Sequence, residues 1–307
     1  MKHYSVLKNE VIEGLNINPD GIYVDATLGY AGHSEEILKR LRRGFLFAFD
    51  QDEDAIHFGQ QRLSKVSNNF KIIYDNFENL KECLNKEGIT KVDGIVFDLG
   101  LSSPQIDETD RGFTFMKDAP LDMRMDKQKK LTAEIVINNY SLEDLINIFF
   151  TYGEEKFSKT IAKNIIEYRK KQKITHTKEL VEIIKSSVPI KYFLNNHPER
   201  QIFQAIRIEV NNELKVLEKA LEEAIMLLNP QGRICVISFH SLEDRIVKQI
   251  FKKYSEINKL VKGLPVIPDE YKPLIRLVIN KPIVATEKEL AENSRSKSAK
   301  LRIIERL

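Results

Sequence analysis

Four short apolar runs in the first hundred residues each stop on an aspartate, and this recurrence constrains the fold more than any other feature. Ile22-Tyr23-Val24 runs into Asp25, Gly44 to Phe49 into Asp50, Phe70 to Tyr74 into Asp75, and Val92 to Phe97 into Asp98. Helix-sized segments separate the runs, at the scale of a βα unit of roughly 30 residues. Repeated strand, crossover and strand build a parallel sheet, and right-handed crossovers bring all four carboxyl ends to one edge. Open α/β sheets hold their ligands at that edge. A single acid there is an ordinary polar loop; four in succession point to a ligand-facing rim.

The first unit carries the most detail. After Asp25 the chain turns through Gly29 and Gly32. Ser34, Glu35 and Glu36, followed by Ile37, Leu38 and Leu41, then read as a helix start with a capping hydroxyl, acids at the positive end of the macrodipole and an apolar face. The turn from Asp25 to His33 lacks the G-x-G-x-x-G that lets backbone close on a pyrophosphate, and an acid ahead of it repels a diphosphate. An acid suits a cation. S-adenosylmethionine offers a sulfonium and an ammonium to carboxylates, a carboxylate to the helix start, and ribose hydroxyls to an acceptor. Asp50, 21 residues beyond Gly29, stands where a ribose-binding acid belongs in a doubly wound sheet. A methyltransferase is favoured; a nucleotide oxidoreductase is the alternative.

Between Leu99 and about Leu131 the regular period stops. This stretch has two prolines, two glycines and many apolar residues, among them Phe113, Phe115, Leu121, Met123 and Met125, and reads as a packed active-site loop. Helical patterns follow. Ser141 caps a run with Leu142, Leu145, Ile146 and Phe149 on one side, and Phe157, Ile161 and Ile165 repeat at helical spacing. The cluster Arg169-Lys170-Lys171-Gln172-Lys173 is either a solvated helix end or a phosphate contact. Apolar residues from 202 to 228, after Pro198, predict one long helix or two in succession, ended by Pro230-Gln231-Gly232. A fifth strand, Ile234 to Phe239, precedes His240 and a capping box from Ser241 to Asp244. Leu274 to Ile279 and Leu301 to Ile304 should pair as the far edge of the sheet.

Net charge is only +3, but residues 111 to 210 hold 18 Lys/Arg against 13 Asp/Glu, so the middle of the chain is its basic part. No apolar run approaches the ~20 residues of a membrane span, and the start shows no cleavable leader, so a cytoplasmic protein is expected. The two cysteines, Cys83 and Cys235, read as reduced core thiols. No HxxxH or CxxC spacing suggests a metal site.

Several stretches carry a family resemblance: His3 to Leu7, the first turn, Asp50-Gln51-Asp52, Phe97 to Gln105, Arg111-Gly112-Phe113, Pro120 to Met125, Phe203 to Arg207, Ile237 to Arg245, and Ser296 to Arg302. Over nearly its whole length the sequence resembles the bacterial 16S rRNA (cytosine-N4) methyltransferases, the small subunit methyltransferase H or MraW family. The resemblance implies an α/β fold, a Rossmann-like S-adenosylmethionine-dependent methyltransferase core with a doubly wound, mostly parallel sheet and an inserted helical domain. The expected division is 1–103 and 212–307 for the core and 104–211 for the inserted loop and substrate-recognition domain. It also implies methylation of N4 of a decoding-region cytosine, with 16S rRNA in the small ribosomal subunit or a late precursor as partner. A non-catalytic small-subunit assembly factor that binds rRNA is the alternative.

Carried over by position, the resemblance implies cofactor contacts from Ala31, Gly32, His33, Asp50, Phe77, Asp98 and Gln105. His33 is expected to act through its backbone N–H. Ala31 stands where the family usually has glycine, which strains the turn by about 1 kcal/mol if its φ is positive. Amino-group methyltransferases often carry a D/N-P-P-Y loop after the fourth strand; here Asp98 keeps the acid and no stacking aromatic follows. Asp98 is therefore the candidate catalytic acceptor for the amino proton, with Asp122, Arg124 and His240 forming the pocket. Arg169 to Lys173 (with Lys170 and Lys171), Arg207 and Arg295 to Arg302 (with Lys297) are the candidate RNA contacts.

Overall fold

The computed structural model describes residues 5–101, 109–257, 261, 263 and 266–307, and the chain divides into two compact units, 1–100 with 214–307, and 101–213. The first unit is built on a seven-stranded sheet of strands β1 (Ile22–Asp25), β2 (Phe45–Asp50), β3 (Phe70–Tyr74), β4 (Val92–Asp98), β5 (Leu228–Ser238), β6 (Ile275–Leu277) and β7 (Lys300–Arg306), in the order β3-β2-β1-β4-β5-β7-β6. All neighbours from β3 to β5 are parallel, while β7 runs antiparallel to β5 and β6 antiparallel to β7. This is the doubly wound, Rossmann-like order. The strand sequence reverses between β1 and β4, so the crevice at their carboxyl ends is the topological switch point.

Side-chain alternation divides each strand between two cores. Val24, Phe47, Phe49, Ile95, Phe97, Ile234 and Val236 pack with Leu217, Leu221 and Ile225 of helix Glu213–Leu227 and with Val247 and Phe251 of helix Ser241–Ser255. Tyr23, Leu46, Ala48, Val96, Cys235 and Ile237 pack on the other face with Val11 and Leu15 of helix Lys8–Leu15 and Ile37 of helix Gly32–Leu38. Both faces are covered, which is why these strands read as continuous apolar runs. Cys83 and Cys235 are buried and free, as their apolar settings predict.

The second unit is helical. Helices Ala133–Asn139, Leu142–Thr151, Ser158–Arg169, Thr177–Ser186, Ile190–Asn196 and Pro198–Asn211 surround one core that includes Ile137, Leu145, Phe149, Ile161, Ile165, Leu180, Ile184 and Ile206. Ser141 caps its helix as expected, accepting from Asp144 N at 3.1 Å. Phe113, Leu121 and Met123 of the irregular stretch lie in this core, so its described part from residue 109 onward is packed, while residues 102–108 lie outside the described residues. Among the described residues no helix is long and apolar enough to cross a membrane.

Three local expectations change. The first-turn helix begins at Gly32 with Ala31 as its N-cap; Ser34 lies inside it and donates its hydroxyl to Asp25 Oδ2 at 2.7 Å, because a buried carboxylate needs that donor more than a helix end does. The capping box after β5 is His240 with Glu243: Glu243 Oε2 accepts from His240 N, while Asp244 is drawn away to Arg302 at 2.7 Å. The fifth strand starts at Leu228, earlier than the sequence pattern, because Pro230 and Gly232 sit in a bulge where pairing with β4 steps from Leu228 to Arg233. The apolar run after Pro198 is two helices, broken at Asn212 with φ 56°.

Candidate functional site

The four strand-end aspartates have different fates. Asp25, 1% exposed, accepts from Thr27 N at 3.1 Å and from the Ser34 hydroxyl, so it ties the first turn to its own helix; burial raises its pKa. At 1% exposure this carboxylate is closed off within the turn, away from the rim where its position in the sequence suggested a cation-facing role. Asp75 caps its own loop, accepting from Asn76 N at 2.7 Å and Asn79 Nδ2 at 2.9 Å. Asp50 reaches from β2 to the first turn, with Oδ2 accepting from Gly29 N at 2.8 Å and Oδ1 from Asp52 N at 2.9 Å. Burial pushes its pKa up to about 6 despite those two donors.

Asp98 differs from all three. Its backbone N donates to Thr27 Oγ1 at 2.7 Å, which ties β4 to the first turn, yet its carboxyl Oδ1 is buried and finds no hydrogen-bond partner among the described residues. Such an orphaned acceptor costs about 1–3 kcal/mol if nothing binds it, and it marks a place for a donor. Oδ2 lies 3.6 Å from His33 Nδ1, and the side chain is 24% exposed. Burial raises Asp98 to about 6, with His33 opposing and Asp25 and Glu243 adding to the shift.

The imidazole of His33 is fixed in a way the sequence reading missed. It is buried, with Nε2 3.0 Å from Val6 O and Nδ1 3.6 Å from Asp98 Oδ2, so the ring as well as the backbone stands beside Asp98. The same N-terminal segment decides Gly32: a Cβ there would sit 1.8 Å from Ser5 Oγ, so the glycine makes room for the chain's own start. Ala31 takes φ 58°, the left-handed region that favours glycine. The turn is held all the same, since Arg62 donates Nη1 to Tyr30 O at 2.6 Å and Nε to the Glu35 carboxylate. Phe77 meets Phe97 edge to face, with ring centroids 5.7 Å apart. Gln105 lies outside the described residues.

The remaining candidates are mostly engaged. Arg124 makes a two-pronged ion pair with Asp122, Nε to Oδ1 at 2.8 Å and Nη2 to Oδ2 at 2.7 Å, and donates Nη1 to Lys127 O and Lys129 O. The two thus staple a loop, rather than standing open as a pocket wall. Arg111 donates to Arg124 O and Met125 O, and Asn211 binds Met123 O and Met125 N, completing the staple. Arg207 is paired with Glu213 at 2.9 Å and is little exposed, and Arg169 turns inward onto Ile137 O and Tyr140 O. Both arginines thus have donors engaged within the protein, on part-buried acceptors. Lys170 pairs with Glu167 and Lys173 with Glu134 at the surface, while Lys171 and Lys297 are exposed. His240 Nε2 lies 3.1 Å from Glu243 Oε1.

A family model described as the MraW methylase family matches residues 1–307. The chain belongs to the MraW methylase family. A curated relative, Ribosomal RNA small subunit methyltransferase H of Exiguobacterium sibiricum, is 54% identical over 307 residues, which is 100% of this chain and 98% of the relative. Among solved structures the chain is similar, distantly, to an rRNA methylase from Streptococcus thermophilus, at TM-score 0.42 and 13% identity, covering 98% of this chain and 93% of that one. It is similar also to SMU.1697c from Streptococcus mutans in complex with SAH, at TM-score 0.44 and 11% identity, covering 99% and 100%.

In this member of the MraW methylase family the first turn holds a non-glycine residue, Ala31, in the left-handed region. Ala31→Gly is expected to raise stability by about 0.5–1 kcal/mol, the strain of a left-handed alanine less the entropy a glycine adds to the unfolded chain. Urea unfolding of the two proteins measures it, and a lower midpoint for the glycine variant would contradict the strain. Arg62 and Val6, which hold this turn, had no signal in the sequence beyond belonging to a helix pattern and to the matching His3 to Leu7 stretch. Their partners are backbone carbonyls that no motif specifies.

Proposed function

We propose that this protein transfers the methyl group of S-adenosylmethionine to N4 of a cytosine in the decoding region of 16S rRNA, acting in the cytoplasm on the small ribosomal subunit or a late precursor. Asp98 carries this reading: it is a half-buried carboxylate at the switch point of a doubly wound sheet, with an oxygen that has no donor among the described residues, in a chain 54% identical to a small-subunit rRNA methyltransferase. The residues present suit that cofactor. Asp50 keeps lone pairs beyond its two backbone donors for ribose hydroxyls, Phe77 offers a ring to the adenosyl group, and the backbone N–H groups of Gly32 and His33 are offered to the methionine carboxylate, that of Ala31 being spent on Leu28 O. Ala31, Gly32, His33, Asp50, Phe77 and Asp98 thus form the cofactor side, with Gln105 joining them by resemblance.

When bound, S-adenosylmethionine supplies an electrophilic methyl carbon. Everything else falls to positioning and proton management. Holding an acceptor nitrogen in line can supply up to about 7–11 kcal/mol in favourable cases. The N4 lone pair of cytosine is delocalised into the ring, so an acceptor drawing on an N4–H pulls the nitrogen toward a nucleophilic geometry and receives its proton. Asp98 fills this role while ionised. Docking of RNA is assigned to exposed lysines, Lys170, Lys171 and Lys297, on phosphates, and the target base must leave its stack to react.

Small subunits from a strain lacking this protein, incubated with it and methyl-labelled cofactor, are expected to yield N4-methylcytidine on digestion of the 16S rRNA. Label in another nucleoside defeats the N4 assignment. Subunit binding with no label at any cofactor concentration favours an assembly factor without catalysis.

A further inference from the structure

We propose that the His33 imidazole, locked as the Nε2–H tautomer by the Val6 carbonyl, is the positioning partner of Asp98 and takes up the proton that Asp98 receives from the acceptor amine. This deepens the reading of Asp98 as the proton acceptor and rests on it. The first observation is the tautomer. Val6 O can only accept, so at 3.0 Å the His33 Nε2 must carry hydrogen, and the lone pair of the neutral ring is on Nδ1. The second is the separation. Nδ1 and Asp98 Oδ2 face each other at 3.6 Å, longer than a hydrogen bond, which suits two acceptors with no proton between them. One added proton turns that contact into a hydrogen bond. The third is isolation: the imidazole is 4% exposed, so Asp98 is its route to solvent.

The proton balance closes on these groups. The N4–CH3 bond forms as the S–CH3 bond breaks, N4 loses one proton to the Asp98 carboxylate, and that proton passes from Oδ2 to Nδ1. The resulting imidazolium is stabilised by two carboxylates, Asp98 at 3.6 Å and the buried Asp25, both of which interact electrostatically with His33. Glu243, from the helix after β5, faces Asp98 and opposes its ionisation, so the imidazole counterweights two acids around one base. After product leaves, the proton returns to water through Asp98. The N-terminal segment takes part through Val6, and it is pinned there because Glu289 Oε1 accepts from Leu7 N at 2.9 Å and from Ser296 Oγ at 2.7 Å.

The test begins with the ligand-free protein. Nitrogen-15 NMR of the imidazole at pH 8 is expected to show Nε2–H; an Nδ1–H tautomer overturns the proposal without any variant. His33→Gln keeps a donor for Val6 O and removes the titrating nitrogen. In this variant the carbon-13 titration of the Asp98 carboxyl, and the acid limb of the single-turnover pH profile, should both move up by about 1 unit from wild type. The rate at pH 8 in saturating cofactor should fall about tenfold or more. Titration and rate both unchanged overturn the proposal, as does a loss confined to S-adenosylmethionine affinity, which would make His33 a cofactor contact only. Asp98→Asn separates the two levels. Full rate in that variant defeats the Asp98 reading itself, whereas a slow Asp98→Asn beside an unaffected His33→Gln defeats only the role of His33.

Discussion

Asp98→Asn should lower the single-turnover rate of methyl transfer by about 10²- to 10⁴-fold in saturating S-adenosylmethionine, the range a positioned proton acceptor contributes. Asparagine keeps the shape and one oxygen of the side chain, and Asp98 N still donates to Thr27 Oγ1, so the fold at the end of β4 is preserved. What is lost is the ability to hold a proton. Rapid-quench measurement with pre-bound cofactor separates chemistry from affinity, and an unchanged rate would leave Asp98 a cofactor contact. The pH dependence follows from the same group. Burial holds Asp98 near 6, so activity should fall as pH drops through that value and the carboxylate protonates. Stability runs the other way. Asp50 and Asp98 both have folded-state pKa values raised to about 6, so the folded protein holds these protons more tightly than the unfolded chain. Their contribution is fully present below the ordinary carboxylate range and is lost as pH rises through about 6.

Glu243→Ala should destabilise the protein by about 2–4 kcal/mol. Glu243 is 2% exposed and its Oε2 accepts from Phe239 N at 2.8 Å and His240 N at 3.3 Å, where β5 passes into the helix Ser241–Ser255. Alanine leaves two backbone donors unmatched in a place closed to water, and it removes the near neighbour of the His240 ring. Glu243→Gln retains an acceptor oxygen and should cost about 1 kcal/mol. Denaturant unfolding of the three proteins measures the series. Equal midpoints for wild type and the alanine variant would mean that the junction is held by other contacts.

How much was legible in the sequence varies with the kind of interaction. The order of strands and crossovers was readable because parallel strands buried on both faces are continuous apolar runs, and β3 was bounded at Phe70 and Tyr74 as its pattern indicated. Helix starts were less so. Ser34 and Ser241 look like caps by residue type, yet Asp25 took the first hydroxyl and Glu243 reached back past Ser241 to His240, choices made by residues distant in sequence or by a one-residue shift of register. The basic cluster shows the same limit. Arg169 and Lys170 are adjacent, but one guanidinium closes helix ends onto Ile137 O and Tyr140 O while its neighbour stays at the surface. Charge counts cannot distinguish an arginine that solvates the protein's own carbonyls from one free for phosphate.

The sequence by itself determined the doubly wound sheet, the helical insertion and the row of strand-end acids, because these follow from apolar period and chain direction, which are local properties. Only the tertiary structure decided what each acid does. Asp25 and Asp75 are turned onto their own loops, Asp50 holds the first turn through one backbone donor on each oxygen, and Asp98 is left with a buried oxygen that has no donor among the described residues and an imidazole 3.6 Å from the other. The reason is physical: a carboxylate's role depends on which donors fold within about 3 Å of it, and for Asp98 those neighbours come from the first turn and, through His33, from the carbonyl of Val6 at the start of the chain.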